Sequence, residues 1–151
     1  MQIICTKKLL DELQVKPSPQ EGISPLYTWS ANLIKINRRK TVVLMCEQNQ
    51  YIIVMYGLKG KDFKVFDERL TQAVEHALLK QHVNPEVIRR YLSDAGPVQY
   101  VKNSDRSRAA KLTHAGHEAC FAAHHIEDAT AYNDTLGVYA SQRIVGDFRE
   151  E

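Results

Sequence analysis

Residues 33–56, LIKINRRKTVVLMCEQNQYIIVMY, hold three apolar runs separated by two short polar turns, Asn37-Arg38-Arg39-Lys40 and Glu47-Gln48-Asn49-Gln50. The first run alternates, with Ile34 and Ile36 on one side and Lys35 and Asn37 on the other, as a half-solvated strand does. The second and third, Thr41 to Cys46 and Tyr51 to Tyr56, are continuously apolar and rich in Val, Ile and Tyr, the composition of strands covered on both faces. Turns of about four residues join neighbours as antiparallel hairpins, which predicts a three-strand meander.

On either side of this meander the patterning changes period. Residues 2–5 suit a short strand, and Leu9, Leu10 and Leu13 recur at helical spacing after Thr6, a candidate N-cap. Residues 16–25 contain three prolines, a glycine and two serines and read as a loop. After the meander, Asp62 is an N-cap candidate for a helix whose stripe runs through Phe63, Phe66, Leu70, Ala73, Val74, Ala77 and Leu78. Asn84-Pro85 opens a shorter helix and Gly96-Pro97 closes it. Val98 to Val101 suits a returning strand. A helix capped near Asn103 to Asp105 is expected to run to about Ile126, and Asp128 to Ala140 reads as a last helix before a flexible tail at 146–151.

Length and composition bound the class. A chain of 151 residues falls within the size of one domain and buries a self-sufficient core. With 44% hydrophobic and 25% charged residues it is typical of globular proteins, which argues against disordered and collagen-like classes. No apolar run approaches the ~20 residues of a membrane-spanning helix, and the lysines at positions 7 and 8 follow the N-terminal apolar run rather than precede it, unlike a secretory signal. A cytoplasmic location is the expectation. Cys5, Cys46 and Cys120 are odd in number and unpaired in spacing, so they read as reduced, buried thiols.

The net charge of +2 is too mild to demand a nucleic-acid partner, so any electrostatic argument is local. In a meander, the first turn and the exit of the third strand share one end of the sheet. Arg38, Arg39 and Lys40 are therefore expected beside Lys59 and Lys61, with the N-terminus of the helix near Asp62 adding its dipole. Arginine there offers bidentate contact to phosphate or carboxylate, and lysine a point charge. The competing reading is that a short basic turn serves solubility or blocks edge pairing.

A second cluster comprises His114, His117, His124 and His125 with Phe121, on one side of the late helix. The span from His114 to His125 rises about 16 Å, too long for one metal with bonds near 2.0–2.3 Å. The His-Glu-x-x-His spacing of zinc proteases is absent, because Phe121 stands where the second histidine would be. No metal or cofactor is expected, and His114, His117, Phe121 and His125 read as an interaction face. No glycine-rich phosphate loop or nucleophile elbow occurs. Trp29, with Tyr27, is expected in the core rather than as a stacking platform.

Three patches resemble a mostly bacterial family, the domain of unknown function numbered six-nine-three-three. They are Ile4-Cys5-Thr6-Lys7-Lys8-Leu9-Leu10, then Trp29-Ser30-Ala31-Asn32-Leu33 running into Asn37-Arg38-Arg39-Lys40, and more faintly Asp105-Arg106-Ser107. Beyond Arg108 the resemblance fades, and Ser30 stands where the family often has His. It implies one small α+β domain and brings no activity. It singles out Lys7, Lys8, Trp29, Asn32 and Arg106 beside the basic turn.

The reading is thus a single α+β domain over residues 1–151, an antiparallel-dominated sheet of about four or five strands around the central meander, packed against several helices. The apolar middle strands predict a homodimer. The functional expectation is a non-enzymatic module binding an anionic partner, nucleic acid among them, through Arg38, Arg39, Lys40, Lys59, Lys61 and Arg106. The alternatives are an adaptor using the His/Phe face and a small metal-independent ribonuclease or toxin-like enzyme.

Overall fold

A computed structural model describes residues 1–108, 110–112, 114 and 138–140. The elements run β1 (Gln2–Cys5), α1 (Lys7–Leu13), β2 (Thr28–Ile36), β3 (Arg39–Cys46), β4 (Ile52–Leu58), α2 (Gly60–Lys64), α3 (Phe66–Lys80), α4 (Pro85–Ala95), β5 (Gln99–Lys102) and β6 (Val138–Ala140), with a short 3₁₀ turn at Pro25–Tyr27. Six strands form one sheet in the order β5-β1-β2-β3-β4-β6. The meander β2-β3-β4 is antiparallel and β6 adds antiparallel to β4, whereas β1 pairs parallel with both β2 and β5. The fold is α+β with a mostly antiparallel sheet. Residues 138–140 are strand, not the last helix expected there, because β4 offers an otherwise open edge that even three residues can pair with.

The first turn differs from the reading of four residues. Ile36 pairs with Arg39, so only Asn37 and Arg38 lie between the strands, with φ of 52° and 66°. Two successive left-handed residues match the twist of a two-residue hairpin. Arg39 and Lys40 therefore belong to β3, and strand alternation sends them to opposite faces.

One face of the sheet carries Leu33, Val42, Leu44, Cys46, Ile53 and Met55, packed against Leu9, Leu10 and Leu13 of α1, the apolar stripe of α3, and Ile88 and Tyr91 of α4. The other face carries Ile36, Val43, Met45, Ile52 and Val54, and these pack with Leu112 from a helical stretch that begins at residue 106. Both faces of the middle strands are thus buried within one chain, which removes the physical ground on which a homodimer was expected. Among the described residues, the exposed large hydrophobics are Val65 and Leu79. No described helix is long and apolar enough to cross a membrane.

Local signals explain the helix ends. Asn84 Oδ1 accepts from Glu86 N at 2.9 Å and Pro85 opens α4, while Gly96, at φ 70°, ends it. The helix expected from Asp62 is instead two, broken at Val65 (φ −123°, ψ 39°), with Lys59 rather than Asp62 as the N-cap of α2. Thr6 does cap α1 by position, but its hydroxyl donates to Asn32 Oδ1 at 2.9 Å instead of serving the helix. Residues 16–24 lie outside the helices and named strands and are tied to β5 where Ser18 N donates to Tyr100 O at 2.8 Å, while Pro25 opens the 3₁₀ turn.

Trp29 is fully buried on the helix-covered face. Its Nε1 donates to Tyr91 Oη at 3.0 Å, and that hydroxyl donates to Leu26 O at 2.6 Å. Tyr27 stacks on Tyr91 with centroids 5.3 Å apart. Trp29 therefore belongs to the core, and Tyr27, half-buried, packs against it. Cys5 and Cys46 are buried, reduced thiols.

Burial also sets a pH limit. It pushes the Cys5 thiol up from 9.0 to about 12, and raises the Tyr51, Tyr91 and Tyr100 hydroxyls in the same direction. A group with a raised folded pKa contributes its stability fully below its unfolded pKa and loses it as pH climbs toward the folded one. Stability is expected to be insensitive to these groups below about pH 9 and to fall by about 1 kcal/mol per pH unit for each group titrating above it. Urea midpoints measured from pH 8 to 11 test this, and a flat profile would contradict the burial of Cys5.

Candidate functional site

Strand order brings the first turn and the exit of β4 together as expected, since Lys40 pairs with both Lys35 of β2 and Leu58 of β4. A bulge sets the register of the Lys40–Leu58 pair. Between Val42/Met55 and Lys40/Leu58, β3 has one residue and β4 has two, Tyr56 and Gly57. Gly57 takes φ 73°, a conformation that favours glycine. The extra residue keeps Leu58 on the same face as Met55, where it packs against the main core.

The basic residues at this corner then separate. Lys40 extends over the helix-covered face, its Nζ 5.9 Å from the centroid of Phe63 in α2 and 2.8 Å from Glu12 Oε1 in α1. Arg39 turns to the other face and lies over Tyr56 at 5.9 Å. Arg38 occupies the exposed turn, and Lys59 and Lys61 are exposed at the N-cap and in the first turn of α2.

The N-terminus of α2, expected to add its dipole here, is already capped from within the chain. α2 has only five residues, and its N-terminus is met by the protein's own carboxylate: Lys59 N donates to Asp62 Oδ2 at 2.8 Å. The other oxygen, Asp62 Oδ1, takes Arg69 Nε at 3.0 Å. Arg106 is not gathered either. It lies two residues from Arg108, which pairs with Glu47 Oε1 at 2.8 Å. Glu47 is level with Thr28, whose carbonyl accepts its N–H. That is eight residues, or about 27 Å, along β2 from the turn.

In place of a single basic tip, the structure forms a cleft of ≈ 410 Å³ between α1 and the β2–β3 hairpin, lined by Lys8, Asp11, Glu12, Gln14, Leu33, Lys35 and Lys40. Alternation explains the sheet side: Leu33, Lys35, Lys40 and Val42 share a face, and Lys35 and Lys40 are direct cross-strand partners. Like charges so placed repel. Helical spacing explains the other wall, since Lys8, Asp11 and Glu12 are three and four residues apart on α1. Among the described residues Glu12 pairs with Lys40, while no carboxylate pairs with Lys8 or Lys35. The cleft carries three cations and two carboxylates.

Of the residues named from the sequence, Lys8 and Lys40 meet here although they come from different patches. Lys7 is exposed on α1, Trp29 is in the core and Asn32 is half-buried against Thr6. His114 is exposed, and His117, Phe121 and His125 lie outside the described residues. Lys35 and Glu12 were missed. Lys35 was legible as the polar position of an alternating strand, but only the register sets it opposite Lys40. Glu12 had no signal beyond its place on the polar side of α1. Among the described residues no three His, Cys, Asp or Glu side chains are placed to hold a metal.

Fold and cleft together define a small α+β domain with a mixed-charge cleft at the hairpin end of its sheet. The chain belongs to the family described as Domain of unknown function (DUF6933), whose model matches residues 2–150. The match continues past Arg108, where the patchwise resemblance fades, so the late segment belongs to the family as well. No curated protein and no solved structure matches the chain.

Proposed function

We propose that the protein is a binding module for an anionic ligand, held in the cleft between α1 and the β2–β3 hairpin. The observation that carries this reading is the cross-strand pair Lys35–Lys40 facing Lys8 in one concavity, where Glu12 pairs with Lys40 and, among the described residues, no carboxylate pairs with Lys8 or Lys35. An anion entering there would relieve the repulsion between the lysines. Leu33 supplies an apolar floor and Gln14 an amide, the mixture typical of small-ligand sites. Arg38, Lys59 and Lys61, exposed at the same end, would raise the local anion concentration and the on-rate rather than hold the ligand.

The division of Arg39 from Lys40, the distance of Arg106 and the burial of Trp29 favour a compact ligand over a nucleic-acid strand, which needs a continuous basic track and open aromatic faces. The test is titration with inorganic pyrophosphate followed by amide chemical shifts. The wild-type chain is expected to show shifts centred on Lys8, Lys35 and Lys40 that weaken as salt is raised. The variant carrying Lys8→Glu and Lys35→Glu should fold normally, because neither lysine is paired among the described residues, and lose at least about tenfold in affinity. Unchanged affinity in that variant would refute the reading.

A further inference from the structure

The cleft already contains an anion of its own, and the geometry points to a specific use for it. We propose that Glu12 is an internal competitor: the ligand is a small anion whose phosphate or carboxylate group displaces the Glu12 carboxylate from Lys40. This inference rests on the binding reading above and adds to it how the site is kept closed and what opens it.

Three observations converge. Glu12 Oε1 lies 2.8 Å from Lys40 Nζ, where a ligand oxygen contacting that ammonium would sit. Both side chains are partly exposed, at 26% and 41% respectively, so the pair is solvated and separable rather than an internal strut. The Lys40 backbone is fixed in β3 by its pairing with Lys35 and Leu58 and its Nζ lies 5.9 Å from the centroid of the Phe63 ring, whereas Glu12 projects from the last turn of a seven-residue helix. In the displaced state Lys40 stays rooted in the sheet beside Lys35, and the Glu12 carboxylate is the group that leaves.

The composition of the cleft decides the ligand class. Displaced Glu12 and neighbouring Asp11 remain on the same wall and would repel a long polyanion along its length, but a ligand with one compact anionic group can place it among the three lysines and keep the rest near Leu33 and Gln14. A concavity of ≈ 410 Å³ falls within the size range of small-ligand sites.

The experiment compares inorganic pyrophosphate with a labelled oligothymidylate, by calorimetry and anisotropy, on the wild type, Glu12→Gln, Lys40→Gln and the double variant. Pyrophosphate is expected to bind Glu12→Gln about tenfold more tightly than the wild type, because the competing carboxylate and its repulsion are both removed. The gain should shrink when Lys40 is already Gln. Pyrophosphate binding to the wild type with equal or weaker binding to Glu12→Gln would overturn the displacement and leave the binding reading standing. A gain equally large without Lys40 would do the same, since it would reflect net charge alone. Tighter binding of the oligothymidylate than of pyrophosphate would overturn the compact-ligand assignment. Absence of pyrophosphate binding to every variant would overturn the binding reading itself. Thermal melting of Glu12→Gln, expected within a degree or two of the wild type, reports that the fold is intact.

Discussion

Replacing Trp29 with alanine is expected to destabilise the protein by about 3–5 kcal/mol, enough to remove a large part of a typical domain's stability. The side chain has no exposure, and it is packed where the sheet meets α4. Truncation leaves a cavity under Tyr91 and takes away the indole N–H that Tyr91 Oη accepts at 3.0 Å. The hydroxyl keeps its own bond to Leu26 O, so the loss is chiefly apolar burial and packing. Trp29→Phe should recover most of it, ending within about 1–3 kcal/mol of the wild type, since it restores ring volume without the N–H. Urea midpoints give both values. A cost below about 1 kcal/mol for the alanine variant would mean that the tryptophan does not anchor this core.

Removing Arg108 should be the next most damaging change, at about 2–4 kcal/mol. Its guanidinium joins two parts of the chain: Nε donates to Glu47 Oε1 at 2.8 Å and Nη1 to Asn103 Oδ1 at 3.2 Å. The other Glu47 oxygen accepts from Ser30 Oγ at 3.1 Å. With the paired side chains only 13% and 20% exposed, Arg108→Ala would leave a carboxylate poorly solvated beside the buried Ser30. Four residues further on, Leu112 packs with Ile36, Val43, Met45, Ile52 and Val54. Loosening the arginine is therefore expected to open that face, and a dye that reports apolar surface should bind the variant before global unfolding. Pairing Arg108→Met with Glu47→Met should restore much of the stability, because no charge is then stranded. A double variant as unstable as Arg108→Ala would show that the ion pair is not what fastens the segment.

The meander could be read from residues 33–56 because alternation and continuous apolar runs are properties of a few adjacent side chains. The same holds for α1, α3 and α4, whose stripes at Leu9/Leu10/Leu13, Leu70/Ala73/Val74/Ala77 and Val87/Ile88/Tyr91 recur at the helical period. The two-residue turn was not legible, since Asn37-Arg38 lacks the glycine that usually marks such hairpins. Val65 likewise gave no sign of breaking the helix. β6 is too short for a period to emerge, and its pairing partner β4 is more than eighty residues away.

The candidate site was legible only in part. Counting strand reversals correctly joins Lys40 to the exit of β4, yet a turn shortened from four residues to two makes Arg39 and Lys40 strand residues, and alternation then divides them between the faces. The dipole contribution failed because Asp62 turns back onto the Lys59 N–H, a local hydrogen bond that competes with any external anion.

Local preferences, which act over one or two turns of chain, were enough for β1 to β5, α1 and α4 and for the apolar side of each, but not for the break at Val65 or for β6. Which charges share a cleft was set by long-range packing. Glu12 and Lys40 are 28 residues apart, and Arg108 and Glu47 are 61. Their meetings depend on sheet register, on the two-residue turn and on how α1 rests against β2. Packing of the whole core sets those features, and no local pattern encodes them.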